Sequence, residues 1–375
     1  MTIVIAAGGT GGHLYPAVAL AREFLRRDHL TEVLFVGTSR GLESKVLAHE
    51  GFELTLIDAK PVMGRGLLDM LKGLCAMPTS LWQCRRILRQ RQVSLVIGVG
   101  GYTSPMMVVA AALRRVPRVI LEPNANPGLA NKAVGPFVQR VFLAFESAAG
   151  SFDRAKVRVV GTPIRKEFLA ESQRMSTAAS EPNRQHLLIF GGSQGAKAIN
   201  SAVIEGLPHL LKERPQMTVT HQTGESDFAR VSAAYRQAGV SVSAVPFLYD
   251  MPSAINAADL VVARAGAMTV AELTTCGKPA VLIPLPTAIY DHQMKNARAM
   301  EAAGAAVVLP QQELTASKLA QTITAILDDH ERVKAMGAAS MRLRRIDAAE
   351  AIVRECYALI GDHHDTHQSL GAAGV

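Results

Sequence analysis

Cysteine is scarce in this chain: there are four among 375 residues (Cys75, Cys84, Cys276 and Cys356), and no two form a Cys-x-x-Cys pair. That scarcity excludes a disulfide framework and a structural zinc site, and it fits reduced thiols. Asp-x-Asp is absent, and no group of His, Cys, Asp and Glu has ligand spacing, so nothing in the sequence requires a bound divalent ion. Long apolar runs are missing too; stretches such as 106–113 and 280–285 fall far short of the ~18 residues that a spanning helix needs. The opening run 1–7 has no basic flank and leads into glycines, so it reads as a buried strand rather than a secretion signal, and the protein is expected in the cytosol. Aromatic residues make up only 5% of the chain, with a single tryptophan, and the basic residues cluster with aliphatics, which argues against a nucleic-acid partner. The net charge of +8 still calls for an anionic partner, a phosphorylated substrate or an anionic membrane.

What is present is length and a regular alternation. With 49% hydrophobic residues, the chain has enough apolar surface for two cores. Short β-branched runs at 3–7, 33–36, 54–57, 95–99 and 118–121 alternate with helical stretches, the βαβ signature of a parallel sheet covered by helices. The pattern pauses at Gly161-Thr162-Pro163, crosses a polar bridge near 171–185, and restarts at 187–190, 217–220, 240–246, 260–263 and 280–283. The expected fold class is α/β, with two Rossmann-like doubly wound domains facing across a cleft. The expected bounds are 1–163 and 164–345, followed by a helix over 346–362 packing back on the first domain and a disordered tail over 363–375. Ligands of open α/β sheets bind outside the carboxyl ends of the strands, which places the site in that cleft.

Both halves open in the same way, on a strand that runs into glycines: Gly8-Gly9-Thr10-Gly11-Gly12 and Gly191-Gly192-Ser193-Gln194-Gly195. Such loops bring backbone N–H groups to a diphosphate at the positive end of a helix, although glycines also serve simply to let helix and strand pack closely. Neither is the dinucleotide fingerprint, since Leu14 stands where a third glycine belongs, and neither ends in the Gly-Lys-Ser/Thr of a Walker loop. A third loop, Arg264-Ala265-Gly266, leads into Ala267, Met268, Thr269, Val270, Ala271 and Glu272. Amides at Ala267 to Thr269 can hold a phosphate, and Glu272 is either a ribose acceptor or a solvated helix residue. Gln293 and Asn296 lie three apart on a helix, so both amides can point one way, towards sugar hydroxyls. His13, at a helix start, can take a proton from an attacking hydroxyl or can cap the helix. Glu122, Asn124 and Asn131 gather near a strand end. With no metal called for, Arg165 is placed to meet leaving-group charge, the alternative being a surface salt bridge.

One further cluster spans 63–91. Leu71, Lys72 and Leu74 precede a helix predicted to start at Pro78, whose Leu81, Cys84 and Leu88 face the core. Trp82 then shares another face with Arg85, Arg86 and Arg89. That stripe suits a surface resting on anionic lipid, or equally a core-packed helix with a solvated basic face.

Taken in order, these motifs resemble the MurG family of glycosyltransferases: Gly8 to His13, Gly100-Gly101-Tyr102, Glu122-x-Asn124, Gly161-Thr162-Pro163-x-Arg165, Gly191 to Gly195, Arg264 to Glu272, and Asp291-His292-Gln293-x-Lys295-Asn296. The resemblance runs from about residue 3 to about residue 360. It implies a GT-B fold and metal-independent, cofactor-free, inverting transfer of N-acetylglucosamine from UDP-N-acetylglucosamine. The acceptor is lipid I, the undecaprenyl-diphosphate-linked muramyl pentapeptide, and the product is lipid II of peptidoglycan synthesis. It further implies a peripheral position on the cytoplasmic face of the membrane. Carried over motif by motif, it assigns Thr10, Gly11, Gly12, Asn124, Arg165, Ser193, Leu248, Ala267 to Glu272, Gln293 and Asn296 to the donor, with the backbone of Leu248 at uracil. Tyr102 and Asn131 fall on the acceptor side, and His13 or its rival Glu122 is the base. Three positions depart from the family pattern: Pro123 where Gln is usual, Thr162 where Asn is usual, and Ser104-Pro105 in place of Ser-Gly-Pro. Within enzymes the rivals are a related lipid glycosyltransferase and a UDP-N-acetylglucosamine epimerase, and outside them a nucleotide-sugar sensor without turnover.

Overall fold

The computed structural model describes residues 1–8, 11–38, 43–59, 67–174, 185–288 and 291–372. The chain forms two compact units: Met1–Arg165 together with Ile346–Val375, and Lys166–Arg345.

The first unit holds a parallel sheet of β1 (Thr2–Ala7), β2 (Glu32–Gly37), β3 (Glu53–Leu56), β4 (Val93–Gly100), β5 (Arg118–Glu122), β6 (Arg140–Leu143) and β7 (Val157–Val159), in the order β3-β2-β1-β4-β5-β6-β7. Its helices are α1 (Gly11–Arg27), α2 (Glu43–Glu50), α3 (Leu67–Gln90), α4 (Thr103–Leu113) and α5 (Leu129–Val134). Side chains alternate across a strand, so Ile3, Ile5 and Ala7 enter one core with Leu14 and Phe24 of α1, while Val4 and Ala6 enter the other with Cys84, Ile87 and Met107. Burial on both faces is why these strands read as unbroken apolar runs.

The second unit runs α6 (Lys166–Arg174), β8 (His186–Phe190), α7 (Lys197–Glu213), β9 (Thr218–Gln222), α8 (Phe228–Gln237), β10 (Ser243–Val245), α9 (Met251–Ala257), β11 (Leu260–Ala263), α10 (Ala267–Cys276), β12 (Ala280–Leu282), α11 (His292–Ala302), β13 (Ala306–Val308), α12 (Ala316–Leu327) and α13 (His330–Arg342). Its parallel sheet has the order β10-β9-β8-β11-β12-β13. The chain then returns to the first unit as α14 (Ala348–Ala372), whose Ile352, Val353, Cys356 and Ile360 join the core of α1 and β1.

Three expectations are corrected. The helix predicted from Pro78 is α3, which begins at Leu67 and runs through that proline. The Ser80 hydroxyl, donating to the carbonyls of Ala76 (2.9 Å) and Asp58 (2.7 Å), fastens the turn beside it. The tail expected from 363 is helical as far as Ala372. Strands β6, β7 and β13 were not anticipated; each has only three or four residues.

Candidate active site

In each sheet the strand order reverses once, between β1 and β4 and between β8 and β11. At such a switch point the loops leaving adjacent strands diverge and open a crevice at the carboxyl edge. All four loops there are glycine motifs: Gly8 after β1, Gly100-Gly101 after β4, 191–195 after β8 and 264–266 after β11.

In the first unit the two loops touch. Gly101 has φ +78°, and a Cβ on it would sit 2.3 Å from the Gly8 carbonyl oxygen, so no side chain fits. A Cβ on Gly100 would sit 2.8 Å from the imidazole of His13, so that ring lies directly on the β4 glycine. His13 is half-buried in the first turn of α1, and the exposed Tyr102 precedes α4. Nearby, the Arg165 guanidinium stacks 5.1 Å over the ring of Tyr15. Glu43, which no sequence pattern marked, is buried, with its carboxylate against Gly8 and its methylene carbons against Gly37.

Glu122 is buried at the end of β5, and both its carboxylate oxygens are engaged. Oε1 accepts from the Asn124 amide N–H (3.0 Å) and Nδ2 (3.0 Å); Oε2 accepts from the Gly128 N–H (2.9 Å) and Asn131 Nδ2 (3.0 Å). Four donors around one carboxylate wind residues 123–128 into a fixed loop. Pro123 brings no N–H to that set. A carboxylate so engaged must give up a hydrogen bond to take a proton.

In the second unit Gly192 (φ +88°) and Gly195 (φ +73°) close a turn, with the Gly195 N–H donating to the Gly192 carbonyl at 2.8 Å. Ser193 and Gln194 are exposed at its tip, just before α7 begins. At the start of α10 the side chains of Ala267, Met268, Val270 and Ala271 are buried, so this stretch can meet a ligand only through the first-turn N–H groups of Ala267 to Thr269 and through half-exposed Thr269. Glu272 is 8% exposed, which removes the solvated-helix alternative.

Arg264 braces this edge. Its guanidinium donates to the carbonyls of Ile283 (3.0 Å) and Pro284 (3.1 Å) and to Gln311 Oε1 (2.6 Å), and burial lowers its pKa to about 10. Gln293 and Asn296 part company. Gln293 Oε1 accepts from the Leu285 N–H at 3.0 Å, while Asn296 is fully buried and donates to the Ala265 carbonyl at 3.2 Å. Asn296 therefore holds the 265–267 turn from beneath. Leu248 is half-buried between Phe247 and Tyr249, whose rings meet edge-on at 5.0 Å, with Tyr249 88% exposed. Sequence reading passed over that pair, although exposed aromatics in so aromatic-poor a chain are a signal.

On α3, Trp82 is 61% exposed and Arg86 lies 5.7 Å over its ring, with Arg85 and Arg89 exposed alongside. Thr10 lies outside the described residues, as do the side chains of Leu71, Lys72 and Leu74. Among the described residues no helix is long and apolar enough to cross a membrane, and no group of three or more His, Cys, Asp or Glu is arranged to hold a metal ion.

Comparison with known proteins agrees with this architecture. The sequence model of the glycosyltransferase family 28 N-terminal domain matches residues 3–143, and that of the C-terminal domain matches 186–352. The UDP-N-acetylglucosamine–N-acetylmuramyl-(pentapeptide) pyrophosphoryl-undecaprenol N-acetylglucosamine transferase of Syntrophotalea carbinolica is 46% identical over 362 residues, 96% of this chain and 99% of that protein. The protein of the same description from Geobacter sulfurreducens is 43% identical over 96% of this chain and 98% of its own length. Among solved structures, MurG of Acinetobacter baumannii superposes with a TM-score of 0.75 at 29% identity, covering 95% of this chain and 99% of that one. A UDP-GlcNAc 2-epimerase from Neisseria meningitidis, bound to UDP-GlcNAc, superposes with a TM-score of 0.67 over 94% of this chain and 99% of that one. At 14% identity that likeness shows the fold alone. The chain belongs to glycosyltransferase family 28, and within it to the MurG family.

Proposed function

We propose that this chain transfers N-acetylglucosamine from UDP-N-acetylglucosamine to the C4 hydroxyl of the muramyl residue of lipid I, with inversion at the anomeric carbon. The observation that carries the reading is the pair of glycine-lined switch points in a chain 46% identical over 96% of its length to a transferase of that description. The acceptor oxygen forms a bond to C1 of the sugar as the bond from C1 to the β-phosphate oxygen breaks. UDP departs with that electron pair, and the hydroxyl proton passes to His13. Charge on the departing UDP is met by the N–H groups at the 191–195 loop and at Ala267 to Thr269, each leading into a helix N-terminus, and by Arg165. Thr10, Gly11, Gly12 and Asn124 complete the donor contacts, Glu272 receives the ribose hydroxyls, and Gln293 turns its Nε2 to the sugar. The backbone of Leu248 meets uracil beside Phe247. Tyr102 and Asn131 serve the acceptor, and Glu122 positions both Asn131 on that side and Asn124 on the donor side.

The protein works as a peripheral enzyme on the cytoplasmic face of the membrane, resting on anionic lipid through the face that carries Trp82, Arg85, Arg86 and Arg89, with Leu71, Lys72 and Leu74 beside it. Snorkelling arginines around one exposed indole support this arrangement. The chemistry is tested by the product: a disaccharide-bearing lipid with a β linkage supports the reading, whereas conversion of UDP-N-acetylglucosamine to an epimer without any acceptor would replace it by the epimerase.

A further inference from the structure

A chain of buried polar groups lies behind the 191–195 loop and takes no part in the chemistry above. The Tyr235 hydroxyl is 2.7 Å from His221 Nδ1, and His221 Nε2 is 3.0 Å from Asn200 Oδ1. Asn200 Nδ2 donates to the Thr223 carbonyl (2.9 Å) and to Asp227 Oδ2 (2.7 Å). His221 and Thr223 are fully buried, and Asn200 and Tyr235 nearly so. The directions of these bonds are determined. The Asn200 amide nitrogen faces two acceptors, so its oxygen faces His221; Nε2 therefore carries the hydrogen, and Nδ1 accepts from Tyr235. Asp227 is fixed in turn by two bonds of 2.7 Å from Arg230.

The chain of bonds ends under the loop. A Cβ on Gly195 would lie 2.0 Å from the Thr223 carbonyl oxygen, and one on Gly224 (φ +80°) would lie 2.2 Å from the Gln194 carbonyl oxygen. The loop thus rests, backbone against backbone, on the carbonyl that Asn200 holds. An imidazole in an apolar sheet is costly unless fully bonded, and a fully bonded polar network fixes a single arrangement.

We propose that His221 is a positioning residue for sugar transfer: as an Nε2–H donor locked by Tyr235, it orients Asn200 and so holds the Thr223–Gly224 ledge that aims the 191–195 amides at the donor's diphosphate. This rests on the reading of that loop given under Proposed function. The test measures Kd for uridine and for UDP on the full chain, because the ratio isolates the diphosphate. His221→Leu is expected to leave uridine binding unchanged and to weaken UDP about tenfold. His221→Gln, which offers an amide N–H near the Nε2 position, recovers most of that loss. Tyr235→Phe removes one hydroxyl, gives a smaller loss in the same direction, and serves if His221→Leu does not fold. Gly195→Ala separates the two ideas. If it leaves the uridine-to-UDP ratio at the wild-type value, the loop does not hold the diphosphate, and the positioning role falls with that reading. If it collapses the ratio while folded His221→Leu and Tyr235→Phe do not, the positioning role alone is overturned.

Discussion

His13, at the β1/β4 switch point, and Glu122, at the end of the neighbouring β5, are two titratable groups with opposite surroundings. The imidazole is half-buried against bare glycine, while the carboxylate is buried under four donors. His13→Ala is therefore expected to lower kcat by about 10²- to 10⁴-fold while UDP affinity stays within about twofold of wild type, a split readable by steady-state kinetics beside calorimetry. A large loss of UDP binding would instead make His13 a donor-site residue. His221 supports a pH prediction. Burial depresses its pKa to about 4, opposed by Asp227, against about 6.5 in an unfolded chain. Between those values the unfolded chain binds a proton that the folded chain refuses, so this stabilisation is complete above about pH 6.5 and is lost as the pH falls towards 4. The full change is on the order of 3 kcal/mol. Urea unfolding from pH 7 to pH 4.5 should destabilise wild type more than His221→Gln, and parallel curves would contradict the assignment. None of this network was legible in the sequence. Thr-His-Gln within β9 looks like any half-polar strand, and its partners stand 14 and 21 residues away. Asn296 misled for a related reason: spacing on a helix gives a direction around the axis but not which side is buried.

At the scale of elements, the glycine motifs were legible because positive φ and backbone contact leave glycine almost alone in meeting the demand. The long strands were legible because burial on both faces makes them continuous apolar runs. Strands β6 and β7 were not, since Arg140 and Arg158 break their short apolar runs, nor was β13, and α3 was cut short because a proline reads as a helix start even where packing carries the helix through it. The exposed face of α3 makes its own prediction. Reversing Arg85, Arg86 and Arg89 to Glu should weaken binding to vesicles containing anionic phospholipid by roughly a hundredfold or more, at about 1 kcal/mol for each basic residue removed. Sedimentation with such vesicles measures this; unchanged partitioning would mean that the stripe is only a solvated face.

At the scale of the molecule, the first unit is built from two stretches of sequence separated by the whole of the second. The helix α14 buries Ile352, Val353, Cys356 and Ile360 in the core of α1 and β1, and Tyr357 packs its ring 5.8 Å from Phe24. Four such side chains contribute on the order of 6 kcal/mol or more, comparable to the whole stability of a domain. A chain ending at residue 345 should lose the calorimetric transition of the first unit and keep that of the second; two intact transitions would contradict this account of the packing. The central claim concerns what the assembled chain does with a sugar nucleotide, and the rate of UDP release from UDP-N-acetylglucosamine tests it most directly. Release should be negligible with donor alone and should rise steeply and saturably when a lipid I analogue is added. A rate that does not respond to the acceptor would contradict it.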